Sequence, residues 1–413
     1  MKKFIVIEVV VIIALVIGFL VGKSLNSDNP INYYRNADRA WQEAVKTDIP
    51  PVTLDDFDQK RLQQVRALYR EVFDKYPNSD WADDALYQYA SRISRSQEEQ
   101  FTLFRRIINN YPDSQWADDS LYGIAVAYYR LGAEASENNP ELQDAGDTYY
   151  DRSFAFFDQV IRDYSGSALV DQALFNRAMC YYGKKMLEPA LEQLSALTND
   201  LADTLIIHEV IYYIGMIYVE QRKYENARVE FRNVIDSGHK ELSPLAQFGI
   251  AQTHFSEANY EKAIDEYEKV IGNYSATKSA EDARFYIGWS YQRLEKYDEA
   301  ILQLEEAIEL FPHNENSSNS QFFIAQIYHA KEDYQGATEA YRKVMDNTTI
   351  DYNTRRSAQY RIAKLLEEND DIDGAVGAYQ QLLKNFPELH QTPSHPSNNI
   401  NENYIQKLRS DQL

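Results

Sequence analysis

The side chains able to do chemistry are few and stand far apart. Seven histidines (His208, His239, His254, His313, His329, His390 and His395) are scattered along 413 residues. A zinc-protease helix needs two imidazoles one turn apart with a carboxylate between them, and none of the seven stands in that H-E-x-x-H frame. Cys180 is the one cysteine, so no internal disulfide or thiolate zinc cluster can form. It falls among apolar residues at helical spacing and reads as a buried, inert thiol. Neither a glycine-rich phosphate loop nor a G-x-S-x-G nucleophile turn occurs. The pairs Asp83-Asp84 and Asp118-Asp119 would suit a divalent ion, but they fall in the first turn of a helix, where carboxylates complement the macrodipole. Among 64 acidic residues no pair stands out as a hydrolase dyad. The expectation is a protein with no catalytic residue, no metal and no cofactor.

Composition narrows the class further. The chain is 44% hydrophobic and 13% aromatic, enough apolar surface to offset chain entropy. Its 42 basic residues against 64 acidic ones give a net charge of −22, the wrong sign for a nucleic-acid binder, which must neutralise phosphates. Spread along an extended surface, that charge favours partners with basic segments. Only 15 glycines and 12 prolines are present, too few for the turns of an all-β fold. Helix is expected.

What recurs is aromatic and small residues. Trp81-Ala82-Asp83-Asp84-Ala85-Leu86-Tyr87 reappears as Trp116-Ala117-Asp118-Asp119-Ser120-Leu121-Tyr122. From Tyr87 and Tyr122 the aromatic continues at Phe175, Tyr212, Phe248, Phe285, Phe322 and Tyr360, in steps of 35, 53, 37, 36, 37, 37 and 38. An alanine series, Ala190, Ala227, Ala263, Ala300, Ala337 and Ala375, steps by 37, 36, 37, 37 and 38. Two independent markers therefore share one period, the sequence signature of a repeat architecture. Within a unit the apolar spacing is 3 and 4, which is helical. Phe285, Gly288, Trp289 and Gln292 lie on one helix, and a break follows at Glu295-Lys296-Tyr297-Asp298. A second helix carries Ala300, Leu304, Ala307 and Ile308 until Phe311-Pro312 stops it. Gly288 and Ala300 stand where two antiparallel helices approach closely.

These residues resemble the tetratricopeptide repeat. Ile287, Gly288, Tyr291, Ala300, Leu304, Ala307 and Pro312 match the family pattern, while Arg284, Leu86, Leu121 and Leu174 stand where its signature tryptophan would be. Ala85-Leu86-Tyr87 with Tyr111-Pro112-Asp113-Ser114 resembles the bacterial envelope branch of the family, the outer-membrane-assembly lipoprotein and Tol-Pal coordinator types. The resemblance runs over roughly residues 80 to 387 and implies an all-α helical-hairpin solenoid. It implies eight hairpins over residues 81–387, with an insertion near 132–148. Residues 24–80 hold a linker and two divergent capping helices, at 32–46 and 56–76. Residues 388–413 read as a flexible tail, with a short helix at 403–409.

The resemblance also implies a binding face. In this repeat type the first helix of each hairpin lines a concave surface, which would place Phe175, Tyr212, Phe248, Phe285, Phe322 and Tyr360 along one groove. Met179, Met216, Gln252, Trp289, Gln326 and Lys364 would flank them. Aromatics offer large contact area at low entropy cost, so such a stripe suits an extended peptide or a partner helix. The competing reading is that these aromatics pack between repeats and never reach a ligand.

The N-terminus reads as an anchor. Phe4 to Val21 is apolar except for Glu8, about 27 Å of helix against a hydrocarbon core of about 30 Å. No A-x-A-like cleavage site and no lipid-accepting cysteine follow it. Lys2 and Lys3 precede it, so the positive-inside rule places the N-terminus in the cytoplasm and residues 24 onward outside, in the periplasm. Phe4 and Glu8 have the spacing seen in type IV pilins, although Lys3 replaces the glycine those proteins carry before the phenylalanine. The sum is a non-enzymatic scaffold binding envelope proteins. Two alternatives are an array that guides a glycan by aromatic stacking and an anchored receptor facing the cytosol.

Overall fold

The structure, a computed structural model, describes residues 29–45, 59–138, 143–200, 206–312, 314–348, 350–387 and 400–410. All regular structure among these residues is α-helix. Residue contacts divide the chain into two units, Met1–Ile206 and Ile207–Leu413. No helix among the described residues is long and apolar enough to cross a membrane, and the apolar run at 4–21 lies outside them.

Unit 1 holds α1 (Pro30–Val45), α2 (Gln59–Lys75), α3 (Ala82–Arg92), α4 (Gln97–Asn110), α5 (Ala117–Asn138), α6 (Gln143–Asp163), α7 (Val170–Gly183) and α8 (Leu187–Asp200). Helices α1 and α2 share one core with the hairpin that follows, through Ala37, Tyr69, Val72, Tyr89 and Ile107, all fully buried. They close an end that would otherwise leave apolar surface in water. At the insertion expected near 132–148, residues 132–138 and 143–148 are helical, and 139–142 lie outside the described residues. Helices α5 and α6 are 22 and 21 residues long, whereas α3, α4, α7 and α8 span 11 to 14. The extra residues lengthen both arms of one hairpin, and Tyr129 and Tyr150 meet edge to face at 5.4 Å within it.

Unit 2 holds α9 (Ile207–Glu220), α10 (Tyr224–Asp236), α11 (Leu242–Ser256), α12 (Tyr260–Asn273), α13 (Lys278–Arg293), α14 (Tyr297–Leu310), α15 (Glu315–Ala330), α16 (Tyr334–Asp346), α17 (Tyr352–Glu368), α18 (Ile372–Asn385) and α19 (Glu402–Ser410). The short helix expected at 403–409 is present as α19, which lays Ile405 into a core formed with Tyr379, Leu382 and Phe386, joined by the preceding Ile400, while 388–399 and 411–413 lie outside the described residues. Tyr404 of α19 donates to Glu367 at 3.0 Å. The flexible segment expected over 388–413 gives way at 400–410 to a docked helix, because Ile400, Tyr404, Ile405 and Leu408 form an apolar stripe that the last hairpin can bury.

Two turn types repeat. Between the helices of a hairpin, one residue adopts the left-handed conformation: Lys185, Arg222, Ala258, Glu295, Glu332 and Asp370, with φ of 58 to 61°. Around each, two backbone bonds close the helix end, as when Glu295 N–H donates to Gln292 and Lys296 N–H to Tyr291. That is the Schellman arrangement, normally built on glycine, yet none of the six is glycine. Between hairpins, the Tyr-Pro-x-Ser segment folds back so that Ser114 N–H meets the Tyr111 carbonyl at 3.0 Å. The first acidic pair then becomes a stitch. Asp83 accepts from Ser114 Oγ at 2.6 Å and Asp84 from Trp116 Nε1 at 2.5 Å.

Candidate partner-binding face

The recurring aromatic does not stand at one depth. Phe285 is fully buried, and Phe175 and Met179 are 5% and 4% exposed. Tyr212, Phe248, Phe322 and Tyr360 are half-buried, as are Met216, Gln252, Trp289, Gln326 and Lys364. The two depths follow one pattern. Each aromatic has a counterpart 19 positions later on the second helix of its own hairpin: Leu194, Phe231, Tyr267, Leu304, Tyr341 and Tyr379, all fully buried. Where that counterpart is leucine, at 194 and 304, the outer ring is buried, and Phe285 shares one core cluster with Leu304. Where it is a ring, the outer aromatic is lifted and tilted against it. Centroids are 5.7 Å apart for Tyr212–Phe231, 5.4 Å for Phe248–Tyr267, 5.2 Å for Phe322–Tyr341 and 6.5 Å for Tyr360–Tyr379. An inner ring in a close-packed core thus accompanies a more exposed outer one.

Sequence reasoning missed this inner series. Its own signal was available, since 194, 231, 267, 304, 341 and 379 step by the same 37, 36, 37, 37 and 38. It also missed Tyr286 and Phe323, which join neighbouring hairpins of unit 2. Tyr286 meets Phe248 at 5.4 Å and Trp289 at 4.6 Å, and Trp289 meets Phe323 at 5.2 Å. Burial raises the Tyr286 phenol, offset in part by a hydrogen bond from Gln252. The Tyr212 phenol is pushed up by burial to about 12. Trp289 Nε1 is buried without a hydrogen-bond partner. Lys364 is tied to Glu367 at 3.1 Å, so its ammonium is not a free contact. Phe175 and Met179 belong to unit 1 and the other candidates to unit 2.

These positions present flat rings, thioether and amide groups. Cys180 is buried beside Ser153 Oγ at 3.5 Å, and burial pushes its thiol to about 12. Among the described residues no group of three or more His, Cys, Asp or Glu side chains is placed to hold a metal ion. Asp119, the second acid of its pair, has its carboxyl raised by burial and by Asp118.

Models of the tetratricopeptide repeat match residues 212–276, 281–314, 318–347 and 357–388. Unit 2 is a tetratricopeptide-repeat array. Arrays of this repeat are scaffolds for protein–protein interaction. Among solved structures, a tetratricopeptide repeat protein from Parabacteroides merdae is 17% identical with a TM-score of 0.43, covering 72% of this chain and 97% of that one. The C-terminal part of a repeat protein from Cytophaga hutchinsonii is 16% identical with a TM-score of 0.48, covering 64% and 95%. MamA from Desulfovibrio magneticus is 19% identical with a TM-score of 0.36, covering 43% and 93%. No curated protein matches the chain.

Proposed function

We propose that this chain is a non-enzymatic scaffold of the cell envelope, held to the inner membrane by residues 4–21 and presenting its repeats outside the cytoplasm. Its partner is an envelope protein that offers a peptide or helix to the first-helix faces of unit 2. The observation that carries the reading is the row of lifted rings, Tyr212, Phe248, Phe322 and Tyr360, flanked by Met216, Gln252, Trp289 and Gln326. Half-buried aromatics held by packing bind at low entropy cost because their rotamers are already fixed. The apolar run, and the lysines that precede it, support the anchor and its orientation.

Crosslinking in intact cells through a photoreactive residue at Gln326, followed by mass spectrometry, tests the partner. A discrete envelope protein supports the proposal, while a glycan adduct replaces it with a glycan-guiding array. Protease digestion of right-side-out vesicles tests the topology. Repeats cleaved from outside support it, and repeats protected until lysis point to a cytosol-facing receptor.

A further inference from the structure

The second helices of unit 2 share one register, so each is a control for the others. Helix α14 departs from its sisters on its outer face. Where α10, α12, α16 and α18 carry Val229, Asp265, Glu339 and Gly377, α14 carries Leu302, 63% exposed. Where the sister hairpins have Ser237, Asn273, Asn347 and Asn385, it has Leu310, 53% exposed. Side chains so exposed add little to the core; at the Leu302 register α10 also exposes an apolar residue, Val229 at 46%, while at the Leu310 register every sister is polar, so only α14 is apolar at both.

The charges depart as well. At the register of Glu305 and Glu306 the sisters hold Arg232 and Asn233, Glu268 and Lys269, Arg342 and Lys343, and Gln380 and Gln381, so α14 alone is acidic at both. Helix α14 contains no lysine, arginine or histidine, whereas each sister has at least one. Glu299, Glu305, Glu306 and Glu309 are exposed and have no ion-pair partner among the described residues, while Asp298 is held by Lys331. Residues 302, 305, 306, 309 and 310 are three and four apart and form one continuous face. Glu305 and Glu309 repel at i,i+4, and the acids crowd the negative end of the helix dipole. Among the described residues no cation pairs with these glutamates. A cationic partner would compensate that arrangement.

We propose that the outer face of α14 is a docking surface for a basic amphipathic helix of another protein. Leucines of that helix cover Leu302 and Leu310, and its lysines or arginines meet Glu305, Glu306 and Glu309. This surface lies on a second helix, so it stands independently of the aromatic face on the first helices.

The test is fluorescence anisotropy of a labelled lysine–leucine peptide of about 18 residues, five helical turns with leucines at spacing 3 and 4. It is titrated with the full chain at about 0.15 M salt, where diffuse attraction is screened. The double variants Glu305→Arg/Glu306→Lys and Leu302→Asp/Leu310→Asn place polar or basic residues typical of the sister helices on α14. Each should weaken binding by about tenfold or more, the equivalent of one well-made contact pair. Glu268→Arg/Glu339→Lys, on the sister helices with the same charge change, should leave binding intact, and circular dichroism should show every variant folded. Equal weakening by that control reduces the effect to net charge and overturns the proposal. So does equal binding of a peptide with the leucines scrambled, or no binding of the amphipathic peptide at all.

Discussion

Gly288 offers a sharp test of how the hairpins are packed. It lies in the middle of α13 against α14, and a methyl group there would stand 2.6 Å from Leu304 Cγ and 2.7 Å from its Cδ2. Leu304 is fully buried beneath Phe285 and has nowhere to move. Gly288→Ala gains up to about 1 kcal/mol of helix propensity. Overpacking costs about 1–3 kcal/mol, so the balance is a loss of roughly 1 kcal/mol. Gly377 in α18 is the contrast, since nothing lies within 4 Å of its added methyl. Gly377→Ala should therefore stabilise by about 1 kcal/mol. The assay is native-state hydrogen exchange on the full chain, read at amides of α13–α14 and of α17–α18, because a two-unit chain does not supply one unfolding free energy. Opposite signs at the two sites are expected. Increased protection of α13–α14 in Gly288→Ala would refute the close approach of the helices.

Three further outcomes follow from buried groups and turns. Tyr267 OH is buried without a partner, whereas Tyr379 OH donates to Glu367 at 2.6 Å. Tyr267→Phe should be neutral or stabilising by up to ~1 kcal/mol and Tyr379→Phe destabilising by ~1–2 kcal/mol, measured by local hydrogen exchange. Glu295 holds a left-handed turn at φ 59°, so Glu295→Gly should stabilise by about 0.5–1 kcal/mol in the same measurement. His254 has its pKa lowered from 6.5 by burial and by Arg228. The unfolded chain then takes up the proton first, so this stability is complete above about pH 6.5 and is lost as pH falls through the native pKa. Melting of His254→Gln should fall less steeply between pH 7 and 5 than that of the natural chain, and parallel curves would count against the assignment.

The repeat and its hairpins were legible in the sequence because small and aromatic residues at one period report helix contacts directly. Ala190 through Ala375 mark close approach, and each is fully buried. Ring depth was not legible from the outer series, because it depends on what lies beneath. Phe285 reads like Phe322 until Leu304 is compared with Tyr341. The lengthened arms of α5 and α6 read as an insertion because a longer step shows extra residues without showing that they remain helical. The docking of α19 was obscured by the proline- and histidine-rich stretch before it, although Tyr404, Ile405 and Leu408 already carried helical spacing. The acidic pairs stand in first turns as expected, but the bonds of Asp83 and Asp84 to the next hairpin need Ser114 and Trp116 brought near, which only the turn geometry does.

The account rests on the lifted rings of unit 2 being the surface a partner covers. Hydroxyl-radical footprinting with residue-resolved mass spectrometry tests this most directly, on the free chain and on the chain with its crosslink-identified partner. Tyr212, Phe248, Phe322 and Tyr360 should label in the free chain while Phe285 does not, and the four should lose labelling in the complex. Phe285 labelling as fast as Phe322, or four rings unchanged by the partner, would contradict the account.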